Sequence, residues 1–156
     1  DTSITQEPDY FQKCKSLCDG TQIRMVGPAS RGECVWWFSQ AHALIHPNFP
    51  APKLGHPGFR EPFGLAPVEA MLCGCPVIAG DYGAMRETVQ GFGGVLVNNM
   101  DQLVSAIRTS HTVFGSGDLM DRDARTRCRE GAMQFSLQNM IDRYHDLCVE
   151  AVEKPW

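Results

Sequence analysis

Residues 60–79 of the chain read REPFGLAPVEAMLCGCPVIA. Pro62 and Gly64 break any regular element at the start of this stretch, which indicates a loop. From Leu65 to Cys73 the residues favour a helix, and Pro67 is tolerated because it would lie in the first turn. Pro76 to Ala79 is a short apolar run, typical of a buried strand. The stretch therefore predicts a loop, a helix and a strand in succession.

Short apolar runs and helical patterns alternate along the rest of the chain. The runs Ile23–Val26, Ala43–Ile45 and Val95–Val97 lack the in-out alternation of a half-exposed strand. A long apolar stripe at helical spacing runs from Leu137 to Ala151. Such alternation predicts an α/β fold with a mostly parallel sheet of about four strands flanked by helices.

Residue spacing also marks where two helices begin. Ser30 and Glu33 have the spacing of a capping box, in which each side chain bonds the backbone amide of the other. Ser136 precedes the final apolar stripe and is expected to cap that helix.

Composition and charge narrow the class of protein. The chain has 156 residues with 14 Lys and Arg against 18 Asp and Glu, a formal net charge of -4. That length suits one domain, and the absence of a basic block argues against nucleic acid as a ligand. Seven cysteines, an odd number, fit a reducing compartment better than a disulfide framework. With no apolar stretch of the roughly 18 residues that span a bilayer and no signal-peptide core at the start, the sequence predicts a cytoplasmic protein without a transmembrane segment.

The loop and helix of residues 60–79 also carry groups suited to a sugar phosphate. The unpaired amides and the dipole of a helix N-terminus favour an anion. Gly64 leaves room for a ligand to approach the backbone there. Glu61 and Glu69 supply carboxylates, which accept hydrogen bonds from sugar or ribose hydroxyls. Because Pro62 and Gly64 keep Glu61 out of the helix, the two carboxylates can converge on one ligand.

The ordered run of these motifs resembles the donor-binding C-terminal domain of retaining family-4 glycosyltransferases, which have the GT-B architecture of two Rossmann-like domains. The resemblance is densest from Arg60 to Val97 and weaker from Tyr10 to the final helix. The motifs that carry it are Glu61 and Glu69 with seven residues between them, Ala70–Ala79, Gly83-Ala84 with Glu87, and Gly94–Val97.

The resemblance implies a nucleotide-sugar site. Glu61 would be the catalytic residue, in contact with hydroxyls of the donor sugar, and Glu69 would contact the ribose. The implied reaction is hexosyl transfer with retention, from a UDP, GDP or ADP sugar to an acceptor that the sequence leaves open. It requires no metal and no cofactor. The backbone amides that would contact the sugar and diphosphate belong to Phe63, Gly64, Leu65 and Ala66.

Two parts of the family pattern are not found in the chain: the strand and loop that supply an Arg and a Lys to the diphosphate, and the acceptor-binding domain. We therefore expect residues 1–156 to form a single, partial donor-binding domain with a loop insertion at residues 48–60. Lys53 or Arg60 would then substitute as diphosphate ligands. The isolated chain is not expected to be competent for transfer.

A sheet without those first strands would expose an apolar edge, which proteins normally cover. We expect either that Ile23–Val26 pairs directly with Ala43–Ile45, or that a second copy covers the edge in a homodimer.

Other interpretations stay open at this point. Glu61 can be a solvated loop carboxylate and Glu69 a charge that the helix dipole favours. The cysteines and histidines can be considered as a metal site, but no cysteine pair has the spacing of a zinc knuckle, which favours cysteine as a small core residue. The functional alternative is a non-catalytic module that keeps the fold and binds a nucleotide sugar or a partner.

Overall fold

The structure is a computed structural model that describes residues 8–18, 22–50, 58, 60–114 and 122–154. The chain divides into two compact units, Asp1–Cys34 and Val35–Trp156. The prediction of a single domain stays a prediction. Lys53, one of the two predicted diphosphate ligands, lies outside the described residues.

The first unit contains helix α1, Pro8–Ser16, and the start of helix α2, Arg31–Gln40. The predicted capping box is present, because the Ser30 amide donates to the Glu33 carboxylate at 2.7 Å and the Glu33 amide donates to Ser30 Oγ at 3.3 Å. The hydrogen bonds from Ser30 also lower the pKa of Glu33.

The strand predicted at Ile23–Val26 does not form. These residues are irregular, and the side chains of Ile23 and Val26 are 55% and 61% exposed. A strand is defined by the ladder it makes with a neighbour, and no described strand pairs with this segment. The predicted strand at Ile23–Val26 is therefore wrong, and the described sheet has three strands rather than four.

The second unit is built on that parallel sheet. Its strands are β1, Leu44–His46, β2, Val77–Gly80, and β3, Val95–Val97, in the order β1-β2-β3. Ile45 lies opposite Ile78, and Ala79 lies opposite Leu96. Helix α3, Leu65–Leu72, connects β1 to β2, and helix α4, Met85–Thr88, connects β2 to β3. This confirms the α/β class and the parallel sheet.

In the described part of the chain three further helices follow β3. They are α5, Met100–Phe114, α6, Arg122–Ala132, and α7, Leu137–Glu153, with a 3-10 turn, Met133–Phe135, before α7. Helix α6 packs against α3, and Ser136 caps α7 by accepting a hydrogen bond from the Asn139 amide at 3.3 Å. No residue of α7 is buried, so its apolar stripe is exposed.

The core surrounds β2, whose four residues are all buried, as predicted for a central parallel strand. Val77 and Ala79 pack into one apolar cluster, and Ile78 packs into a second one. Two cysteines, Cys75 and Cys128, belong to the first cluster. Burial raises the pKa of each thiol to about 11, so both are neutral core side chains.

Among the helices that the structure describes, none is both long and apolar enough to cross a bilayer.

Candidate functional site

The candidate site lies at the carboxyl edge of the parallel sheet. Because the strands are parallel, their last residues, His46, Gly80 and Val97, share one edge. Open α/β sheets bind ligands beyond this edge. The loop residues 60–64 and the start of α3 lie between β1 and β2 in the chain and lead to the same edge.

Glu61 is fixed to this edge through its side chain. Its Oε1 accepts a hydrogen bond from the Gly64 amide at 3.1 Å. Its Oε2 lies 3.9 Å from His46 Nε2, at the end of β1. The Glu61 side chain is 21% exposed, so it is partly buried yet reachable from solvent. Glu61 is thus a held carboxylate rather than a fully solvated one.

The backbone of Glu61 is held as well, by the turn after β2. The Ala84 amide donates to the Glu61 carbonyl at 2.9 Å. Gly83 has φ +74°, and a Cβ atom there would lie 2.5 Å from the Glu61 carbonyl oxygen. Only glycine fits this position, because a side chain would collide with backbone and φ is in the left-handed region. The turn and the Glu61 loop therefore form one close backbone contact.

Helix α3 begins at this contact and presents amides to the same edge. Gly64 precedes it with φ +87°, a conformation that suits glycine. The first intrahelical bond runs from the Val68 amide to the Gly64 carbonyl at 3.1 Å. The amides of Leu65 and Ala66 therefore belong to the first turn, where no intrahelical acceptor is available, and both residues are exposed.

Phe63 and Glu69 are placed differently from each other. The Phe63 ring packs edge-on against Phe135 at 5.5 Å between centroids, so its side chain joins an aromatic cluster. Only its backbone amide is left for the predicted ligand role. Glu69 is exposed on α3 between buried Val68 and Ala70. At 1.5 Å per residue it lies about 6 Å along the helix axis from Leu65.

Arg60, the second predicted diphosphate ligand, lies over Tyr82 in the turn after β2. Its guanidinium carbon is 5.2 Å from the centre of the tyrosine ring, and its Nε donates to the Tyr82 hydroxyl at 3.3 Å. Arg60 is exposed and is the immediate neighbour of Glu61. The structure thus keeps a positive charge beside the Glu61 loop.

Four residues of this edge were not predicted from the sequence: His46, Asn48, Asp81 and Tyr82. Each lies at a strand end or within two residues of one, and that position is the signal that could have identified them. The Asn48 side chain donates to the Tyr82 carbonyl at 2.6 Å and so joins the two loops. Asp81 accepts two hydrogen bonds from Arg86, at 2.6 and 2.7 Å, and these bonds lower its pKa. Asp81 is therefore engaged in a structural ion pair.

The described residues contain no group of three His, Cys, Asp or Glu side chains arranged to hold a metal ion.

A partly buried carboxylate and the first amides of a helix lie together at the carboxyl edge of a parallel sheet, which is an arrangement of the Rossmann-like class. Residues 7–111 match the family described as "Glycosyl transferases group 1". The chain belongs to this family, and its fold is that of part of a GT-B C-terminal domain.

Individual relatives agree with this assignment. The chain is 31% identical to D-inositol 3-phosphate glycosyltransferase 1 of Catenulispora acidiphila, over 96% of this chain and 34% of the relative. It is 26% identical to alpha-1,3/1,6-mannosyltransferase ALG2 of Candida albicans, over 70% and 26% of the two chains. Sucrose-phosphate synthase from Thermosynechococcus elongatus has a similar fold, with a TM-score of 0.57, 24% identity and coverage of 90% of this chain and 35% of the synthase. The chain thus spans about a third or less of each relative's length.

Proposed function

We propose that the chain forms the donor-binding part of a retaining glycosyltransferase, and that the donor is a UDP, GDP or ADP sugar. In this proposal the chain is part of one donor-binding domain, and the donor is a substrate. No metal or cofactor takes part in the proposed reaction.

One observation carries the proposal. The Glu61 carboxylate is held by the Gly64 amide at the point where α3 begins, at the carboxyl edge of the sheet. This arrangement sets a hydroxyl acceptor directly beside the first amides of a helix, which favour an anion. A sugar diphosphate has both features, hydroxyls and an adjacent negative charge.

Four of the predicted ligands then have roles in this proposal. The amides of Leu65 and Ala66 would stabilise the diphosphate as its charge grows during departure, which is the electrostatic form of catalysis. Glu61 would hold the sugar hydroxyls while the sugar becomes positively charged. Glu69 would accept hydrogen bonds from the ribose.

The names of the relatives suggest where to begin with the acceptor. Several are named D-inositol 3-phosphate glycosyltransferases. We therefore propose D-inositol 3-phosphate as the first acceptor to test, with ALG2-type mannosyl acceptors as the comparison.

Calorimetry on the intact protein tests donor binding, with UDP-glucose, GDP-mannose and ADP-glucose as probes. Glu69→Ala should weaken the dissociation constant of the donor that binds by about 10- to 150-fold, since a charged acceptor contributes about 1.5 to 3 kcal/mol. Glu130→Gln, which neutralises an exposed carboxylate on α6, is the control and should leave the constant unchanged.

Turnover separates catalysis from binding. Glu61→Gln keeps an acceptor for the Gly64 amide but removes the charge, so it should lower release of the nucleoside diphosphate more than it lowers donor affinity. Equal losses in both quantities would indicate plain binding. A protein that binds donor but releases no nucleoside diphosphate with any acceptor tested would be the non-catalytic module instead.

A further inference from the structure

His46 occupies an unusual position beside Glu61. It is the last residue of β1, opposite Ala79 of β2, and Pro47 follows it. The side chain is 27% exposed, yet its Nε2 atom is buried and has no hydrogen-bond partner among the described residues. Glu61 Oε2 lies 3.9 Å from that nitrogen.

A buried ring nitrogen without a hydrogen bond lowers the stability of the fold, so the orientation of the His46 ring requires a physical reason. The distance of 3.9 Å is longer than a hydrogen bond and within the range of an ion pair. In the tautomer that carries its proton on Nε2, or when protonated on both nitrogens, histidine can only donate from this atom. The group it faces is a carboxylate, which can only accept when ionised.

The two carboxylate oxygens of Glu61 therefore face different elements of the fold. Oε1 is bound by the Gly64 amide before α3, and Oε2 faces the end of β1. Two such contacts fix both the position and the plane of a carboxylate, whereas one leaves it free to rotate. Each carboxylate oxygen still has a second acceptor site for a sugar hydroxyl.

We propose that His46 is a positioning residue for Glu61, and that its Nε2–H holds Oε2 so that the carboxylate keeps one orientation toward the donor sugar. The inference rests on the proposed function, because it assigns Glu61 a role in transfer. It adds a residue that contacts the catalytic group rather than the substrate.

Three substitutions of His46 in the intact protein test this. Glutamine carries an N–H close to the place of Nε2, asparagine carries one close to the place of Nδ1, and leucine carries none. The expected result is that His46→Leu and His46→Asn lower kcat by about 10- to 100-fold, since a catalytic group misplaced by about 1 Å can lose about 100-fold in rate. His46→Gln should stay within about threefold of the original kcat by the same reasoning.

The readouts distinguish positioning from packing. Nucleoside diphosphate release gives kcat, and calorimetry gives the dissociation constant, with UDP-glucose, GDP-mannose and ADP-glucose as donors. Positioning should lower kcat while the donor dissociation constant changes less than about twofold, because the ground-state contacts remain. When Glu61→Gln is already present, His46→Leu should lower kcat by less than about a further twofold, because the effects of coupled residues are not additive.

Several results would overturn the inference. If His46→Gln is no better than His46→Asn, the N–H at Nε2 is not what matters, and this comparison decides the question even if His46→Leu fails to fold. Full additivity with Glu61→Gln would likewise contradict it. If Glu61→Gln itself leaves turnover unchanged, the proposed function fails first. If Glu61→Gln lowers turnover but His46→Leu does not, only the positioning role is lost.

Discussion

Substitution of Gly83 by alanine tests whether the turn after β2 holds the Glu61 loop. The new Cβ would lie 2.5 Å from the Glu61 carbonyl oxygen and 2.7 Å from the Glu61 nitrogen. Ordinary contact begins near 3.4 Å, so the loop must move by about 0.9 Å. Such a shift strains or breaks the hydrogen bond from the Ala84 amide to the same carbonyl.

The expected loss of stability has three parts. Overpacking against backbone costs about 1 to 3 kcal/mol. The weakened hydrogen bond adds about 0.5 to 1.5 kcal/mol. Alanine in the left-handed region, with φ +74°, adds about 1 to 2 kcal/mol. Turnover should fall as well, by about 100-fold, because the displaced loop carries Glu61.

Gly91 supplies a matched control for this experiment. Its φ is +84°, close to that of Gly83, but an added Cβ would meet nothing within 4 Å. Gly91→Ala therefore reports the conformational cost alone. Urea unfolding of both variants of the intact protein gives the difference between their free energies of unfolding. Gly83→Ala should be the less stable variant by about 1.5 to 4.5 kcal/mol. Equal losses in the two variants, together with normal turnover in Gly83→Ala, would refute the close contact as the reason for glycine.

Three further predictions concern the same sheet. Hydrogen bonds from Arg86 lower the pKa of Asp81, so this pair stabilises the fold above the unfolded-state pKa of about 3.9. That stability is lost as pH falls through the lower folded-state pKa. Asp81→Asn should therefore make the free energy of unfolding less dependent on pH below about pH 4, and an unaltered dependence would contradict the linkage. Arg60→Ala should weaken donor binding about tenfold in calorimetry if Arg60 contacts the diphosphate, whereas Tyr82→Phe, which keeps the charge, should have little effect. The homodimer expected from the sequence stays a prediction: β1 is an edge strand of the described sheet, and sedimentation of the intact protein as a monomer would argue against it.

The fold was predictable where local signals and burial agree. Pro67 in a first turn and the buried run that ends at Ala79 gave α3 and β2 directly, because propensity, period and burial all favour the same elements. Ile23–Val26 has the composition of a strand but no described strand to pair with, and pairing is a property of the whole sheet. Composition alone cannot supply that information.

The candidate site was likewise predictable only where its residues are close in the chain. Glu61, Gly64 and the start of α3 are close in the chain, so their spacing indicated that they would act together. The approach of His46 to Glu61 and the contact of Gly83 with the Glu61 backbone link residues 15 or more positions apart. Those contacts depend on how strands and loops meet at the sheet edge, which no local pattern encodes.

The buried thiols give the protein a built-in reporter of sheet opening. Cys75 precedes β2 and Cys128 packs beside it, and both are inaccessible neutral thiols, whereas Cys148 on α7 is exposed. An alkylating reagent needs both access and a thiolate, so it should modify Cys148 rapidly and the two core cysteines only when the native packing opens. Mass spectrometry of pulse-alkylated protein would then resolve transient opening around β2 from fraying of α7. A donor bound at the carboxyl edge of the sheet should slow the opening around β2 and leave the fraying of α7 unchanged.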